Sequence, residues 1–142
     1  MHQTQEPSRG IDAIGIEHIN IHTGDVERSR LFYSQILGLK EVPRPDWFDF
    51  PGAWFSVGSQ HLHLTYANPL PPRTQEHFCI QVADLAAAQA HLEARGILCR
   101  PDRDYGHTRR FVIFDPDGNY IEISEIKMAV HKLQHGVGMV SN

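Results

Sequence analysis

Between positions 16 and 23 the chain alternates apolar and polar residues, with Ile19 and Ile21 set against His18, Asn20 and His22. A period of two predicts a half-buried strand near Ile16 to Ile21 with the three polar side chains on one face. Asp25 then caps a predicted helix, VERSRLFYSQIL, in which Val26, Ser29, Phe32, Tyr33, Ile36 and Leu37 recur at helical spacing and Gly38 ends the run. Short strands follow at Lys40 to Val42, Gly52 to Val57 and Gln60 to Tyr66, and the proline-dense NPLPPRTQE reads as a linker. Beyond it the pattern starts again. A strand is expected at His77 to Val82, and a helix, LAAAQAHLEAR, is capped by Asp84 and closed by Gly96. Strands near Ile97 to Arg100, Arg110 to Phe114 and Tyr120 to Glu125 complete the set, with DPDGN as the turn before the last.

The order strand, helix, strand, strand, strand thus occurs twice, and the positions agree as well as the order. From 18 to 77, from 63 to 122 and from 25 to 84 the step is 59 residues each time. One offset therefore relates a first-strand residue, a last-strand residue and a helix cap in both halves, which points to a duplicated module. With 142 residues the chain is too short for two ordinary independent domains. We therefore expect one domain over 14–126, built from module one at 14–67 and module two at 76–126, with a tail at 127–142. The glycines and polar end of KMAVHKLQHGVGMVSN suggest a weakly ordered tail or an arm around a second subunit, and its His131 and His135 read as incidental.

Charge narrows the function classes. At a net charge of −4, with Arg28, Arg44, Arg73, Arg95 and Arg109 scattered among acids, nothing resembles a phosphate-binding stripe, so no nucleic-acid partner is expected. No apolar run is long enough for a membrane span and MHQTQEPSRG lacks the apolar stretch of a signal peptide, so a cytoplasmic location is the default expectation. Cys79 and Cys99 are the only cysteines. Cys79 lies in an apolar strand-like run and is expected to be a buried, reduced thiol.

The candidate chemistry sits on the repeat. A catalytic metal needs several nitrogen or oxygen donors converging from rigid elements, with positions left open for water or substrate. His18 and His77 fall at equivalent points of the two first strands, and His63 and Glu122 at equivalent points of the two last strands. Any one histidine alone has a simpler explanation as a wet-face polar group or a core imidazole bonded to a carbonyl. Four metal-capable residues on one duplication offset favour a divalent metal site instead. His61 shares the face of His63 but has no counterpart in module two. His22 is expected to line the cavity, His91 to lie on a helix surface and His107 in a loop.

These residues resemble the vicinal oxygen chelate superfamily, which includes glyoxalase I, extradiol dioxygenases, fosfomycin-resistance transferases and bleomycin-binding proteins. The resemblance covers about 14 to 126 and rests on GIEHINIHTGDVERSRLFYSQILGL, LHLTY, EHFCIQVADL and FDPDGNYIEISE. It implies an α+β fold of two tandem βαβββ modules forming a cup-shaped, eight-stranded mixed sheet, usually in a homodimer. Family members bind a divalent ion (Zn, Ni, Co, Mn or Fe(II)) at the positions that His18, His63, His77 and Glu122 occupy here. Short glyoxalase I usually has glutamate where this chain has His63, which leaves Glu122 as the one ligand able to move a proton. Glutathione-using members carry arginine where this chain has His22, while Arg73 falls at a glutathione-contacting position and Asn68 is one residue displaced from another.

The resemblance implies a metal-dependent lyase or isomerase acting on a small oxygenated substrate chelated to the ion, with Glu122 as the catalytic residue. The alternatives are an Fe(II) dioxygenase using His18, His77 and Glu122 with His63 outside the set, a fosfomycin-type thiol transferase, or a small-molecule-binding protein. Candidate substrate contacts are His22, Trp54, Arg73, Tyr105 and Arg109. Arg109 and Arg110 point to opposite faces of a strand, so at most one can meet a substrate anion. The aromatic group Trp47, Phe48, Phe50, Trp54 and Phe55 is expected chiefly in core and dimer packing.

Overall fold

The computed structural model describes residues 10–104, 106 and 108–126. Tyr105 and His107 lie outside the described residues, as does the tail with His131 and His135. The elements are β1 (His18–Thr23), α1 (Val26–Leu31) running into a π-helical turn (Phe32–Ile36), β2 (Lys40–Val42), β3 (Gly52–Val57) and β4 (Gln60–Tyr66). The second set is β5 (His77–Gln81), α2 (Leu85–Glu93), β6 (Arg100–Pro101), β7 (Thr108–Phe114) and β8 (Tyr120–Ile126). The strands form two mixed sheets of four, ordered β1-β4-β3-β2 and β5-β8-β7-β6. Within each, the first strand runs parallel to the last and the other pairings are antiparallel.

The duplication reaches the hydrogen-bond register. Asn20 stands opposite His63 in the first sheet and Cys79 opposite Glu122 in the second, a shift of 59 at both partners. The helix caps repeat too: Asp25 accepts from the Arg28 N–H at 3.0 Å, and Asp84 from the Ala87 N–H at 2.9 Å. Both side chains satisfy donors that a helix start would otherwise leave bare.

The first helix departs from the sequence expectation. Only Val26–Leu31 is α-helical; the Leu37 N–H then bonds the Phe32 carbonyl at 2.9 Å, five residues back, and the Leu39 N–H bonds the Tyr33 carbonyl. The π-turn lets consecutive rings, Phe32 and Tyr33, both be buried, at 3% and 0% exposure. Hydrophobic period alone does not separate this arrangement from a continuous α-helix. The strand of module two expected at Ile97 to Arg100 is reduced to Arg100–Pro101, paired with Val112 and Phe111, while 97–99 precede it without strand pairing.

One core spans both modules. Phe32, Tyr33, Phe55, Leu62 and Leu64 from the first pack in the same cluster as Leu85, Leu92, Phe111, Ile113, Ile121 and Ile123 from the second. Polar bonds fix how the modules meet. The Tyr33 hydroxyl donates to Asp115 at 2.7 Å, and burial together with the negative charges of Asp115 and Asp117 pushes its pKa far up, keeping it a donor. Asp117 accepts from the Thr23 and Ser29 hydroxyls at 2.8 and 3.0 Å, from the Gly24 N–H at 3.1 Å and from the Arg28 guanidinium. The turn that presents both aspartates is held by Asp115, whose carboxylate accepts from the Asp117 and Asn119 N–H groups, while Gly118 supplies the left-handed residue at φ +80°.

Cys79 is a correction to the expectation: it is exposed, and the buried thiol is Cys99. Along β5 it is Phe78 and Ile80 that turn inward, so Cys79 shares the open face with His77. Both cysteines are free thiols.

Gly52 is a position of close approach. A Cβ there would lie 2.3 Å from the Leu64 carbonyl oxygen and 3.2 Å from Arg44 Nε. Gly52→Ala is therefore expected to force β3 from β4 and to destabilise the protein by about 1–3 kcal/mol, read as a lowered midpoint in urea unfolding. An unchanged midpoint would show that β3 and β4 separate more easily than their packing suggests.

Candidate metal centre

The four metal-capable residues are brought together two by two. On the first sheet the rings of His18 and His63 stack with centroids 4.2 Å apart. On the second, His77 Nε2 lies 3.3 Å from Glu122 Oε1. Each is the same diagonal pair across the parallel first and last strands of its module. Burial repeats as well: His63 and Glu122 are buried, at 8% and 7% exposure, while His18 and His77 are exposed. Among the described residues no group of three or more His, Cys, Asp or Glu side chains forms a set able to hold a metal. Within one chain the His18–His63 and His77–Glu122 pairs thus stand apart.

The donors are oriented. His18 Nδ1 is 2.6 Å from Glu17 Oε2, and His77 Nδ1 is 2.8 Å from the Gln75 carbonyl, so each ring has its Nδ1 engaged and its Nε2 presented. A carboxylate or carbonyl on the far nitrogen is how metal-binding imidazoles are commonly aimed. His63 Nε2 is buried with no hydrogen-bond partner. An orphaned imidazole nitrogen beside a second histidine is costly unless something accepts its lone pair or its proton. Burial first, then the nearby His18 and His61 rings, hold the His63 pKa below its ordinary value, which keeps its nitrogen available as a neutral donor. Each pair thus offers two donors of types that divalent ions accept, fewer than a metal centre needs by itself.

Around these pairs the other candidates divide. Trp54 lies flat on His63, with centroids 4.1 Å apart and planes 6° apart. It lines a cavity of about 340 Å³ with His18, His63, Phe48, Phe50 and Arg44. Of the aromatic group only Phe55 is fully buried; Trp47 is 75% exposed. His22 and Arg73 line a second cavity of about 650 Å³ that also reaches His77. Arg73 Nη1 donates to the Asn119 side-chain oxygen at 3.3 Å. His61 sits 5.7 Å from His63, ring to ring, and His91 Nε2 is on the helix surface 2.8 Å from the Ile36 carbonyl.

Arg109 and Arg110 diverge as strand alternation requires. Arg109 pairs with the half-exposed Glu125 at 3.2 Å, whereas Arg110 Nη1 donates to Glu122 Oε2 at 2.7 Å. Arg110 was accessible in principle from the DPDGN turn, because Phe114 opposite Tyr120 puts Val112 opposite Glu122 and Arg110 on the same face. Glu17, which aims His18, and Arg44 carried no comparable signal in the sequence.

Two duplicated βαβββ modules, each with a paired position on its first and last strands, define a class, and the chain belongs to it: the sequence model of the Glyoxalase/Bleomycin resistance protein/Dioxygenase superfamily matches residues 15–123. Members of this superfamily are mostly metal-dependent enzymes on small molecules and often form dimers. The chain is 32% identical over 123 residues to the uncharacterized protein YaeR of Escherichia coli, covering 78% of this chain and 95% of that one. It is 29% identical to Glyoxylase I 4 of Arabidopsis thaliana, covering 76% and 68%. A solved structure assigned to the glyoxalase family, from Bacillus anthracis, superposes with a TM-score of 0.79 at 29% identity, covering 84% of this chain and all of that one. Among the described residues no helix is long and apolar enough to cross a membrane.

Proposed function

We propose that this chain is a divalent-metal-dependent lyase or isomerase of the glyoxalase I kind, with His18, His63, His77 and Glu122 as the metal ligands. The observation that carries the reading is the pair of equivalent half-sites, one with an orphaned buried nitrogen on His63 and the other with a buried carboxylate on Glu122. Because the pairs stand apart in one chain, the reading includes a homodimer in which His18 and His63 of one protomer face the partner's copies of the other pair. A two-fold axis produces two such sites per dimer without any further sequence.

A bound divalent ion would supply Lewis acidity toward two neighbouring oxygens of a small substrate. The chain's own groups do the rest. Arg110 holds Glu122 Oε2, which fixes the carboxylate plane and leaves Oε1 directed toward His77. Glu122 is the group that takes a proton from one substrate carbon and returns it to the neighbour. Trp54 and the stacked His63 ring form a flat wall that positions the substrate and excludes water.

An oxygenase that used only His18, His77 and Glu122 leaves the buried His63 nitrogen without a role, so the four-donor reading is favoured. Metal analysis of the purified protein with zinc, nickel, cobalt, manganese and iron(II) added back tests it, alongside turnover of the hemithioacetal of methylglyoxal and glutathione. Oxygen-independent turnover with at least one metal is expected. No turnover with any of them removes glutathione-linked lyase chemistry, and oxygen uptake on a catechol panel would replace it with the oxygenase.

A further inference from the structure

The cavity beside the His18 and His63 pair contains a cation that, among the described residues, forms no ion pair. Arg44, from the segment between β2 and β3, stacks its guanidinium carbon 4.3 Å from the Phe48 ring centroid and 4.7 Å from that of Phe50. Its Nη2 is buried and makes no hydrogen bond. Planar aromatic faces stabilise a guanidinium but accept none of its N–H groups, so the desolvated donor remains unsatisfied. Among the described residues the one carboxylate lining this cavity is Glu17, and it is engaged by His18 Nδ1 at 2.6 Å. Trp54, Phe48 and Phe50 supply flat apolar walls, beside His18, His63 and Leu64, and Asn20 and Thr65 add two neutral polar groups. A cavity with one buried unpaired donor cation and flat walls fits an anion carried on a planar apolar body.

We propose that Arg44 is a specificity-determining residue that receives the carboxylate of a small planar acid held in the cavity that Trp54, Phe48 and Phe50 line. This deepens the functional reading and rests on it for the position of the reacting oxygens, but the carboxylate contact itself needs no metal. A charge-assisted bond from guanidinium to carboxylate is among the stronger hydrogen bonds available to a protein. It would satisfy Nη2, and the His18, His61 and His63 rings nearby bring no competing negative charge.

The test is calorimetric titration of full-length protein with benzoate and with benzamide, its neutral isostere, once after metal removal and once with metal restored. Wild type is expected to bind benzoate about tenfold or more tightly than benzamide in both states. Arg44→Met, which keeps much of the packing against the rings, is expected to abolish that preference, and Arg44→Lys to keep part of it. Equal affinity for the two probes, no detectable benzoate binding, or a preference that survives Arg44→Met would overturn the proposal and leave Arg44 a packing residue. Preference in the stripped protein together with failure to bind metal would sink the metal reading and leave this one standing.

Discussion

Glu122→Gln is expected to lower turnover by about 10²–10⁴-fold while the protein remains folded. Glutamine keeps the size and one acceptor oxygen of a side chain that is only 9% exposed, but it removes the charge and the basicity. The loss therefore falls on proton transfer and on metal affinity, not on shape. Arg110, itself 19% exposed, loses the Glu122 charge, and weakening that charge-assisted bond adds a stability cost of about 1.5–3 kcal/mol. Circular dichroism at the assay temperature separates the two effects. Turnover within a few-fold of wild type in a folded Glu122→Gln protein would remove Glu122 from the chemistry.

The second large effect concerns the joint between the modules. The Asp117 carboxylate is 1% exposed and accepts from four separate donors of module one. Burial by itself would raise its pKa, but the Gly24 N–H, the Thr23 and Ser29 hydroxyls and the Arg28 charge outweigh it and hold the group below the ordinary aspartate value of 3.8. A depressed folded value means that the unfolded chain binds the proton more readily. The contribution to stability is thus complete above pH 3.8 and is lost as acid carries the pH down through the lower folded value. Asp117→Ala strands those donors, two of them on fully buried residues, and is expected to cost about 3–5 kcal/mol at neutral pH. It should also flatten the acid limb of the stability profile. Urea midpoints between neutral pH and pH 2.5 measure both; a variant with the wild-type midpoint and the wild-type acid limb would show that the Asp117 network does not join the modules.

The duplication was the most legible feature of the sequence, because a single step of 59 residues is preserved in the strand register as well as in the residue types. Strand alternation also placed His18, Asn20 and His22 on one face, and Asp25 and Asp84 on their caps. What could not be read were features decided by contacts distant in sequence. The π-turn at Phe32–Ile36 sits where Tyr33 reaches Asp115, and no local spacing announces that partner. Cys79 looked like core because its neighbours are apolar, yet those neighbours take the inward positions themselves. Arg44 looked like one scattered charge among several until the chain folded its side chain against two phenylalanines.

The separation of the four candidate residues into two pairs was equally invisible, since an offset relates positions in the chain and says nothing of which copy would supply the opposite half. Differently tagged His63→Ala and Glu122→Ala chains, each impaired alone, can be co-expressed and the heterodimer purified for metal analysis. If the half-sites meet across a two-fold axis, one site of the heterodimer is doubly damaged and the other is intact. One tightly bound divalent ion per heterodimer is expected, against two per wild-type dimer and none in either parent. A heterodimer that binds no metal, or parents that bind it as well as wild type does, would contradict the proposal that His18 and His63 of one copy share their ion with His77 and Glu122 of another.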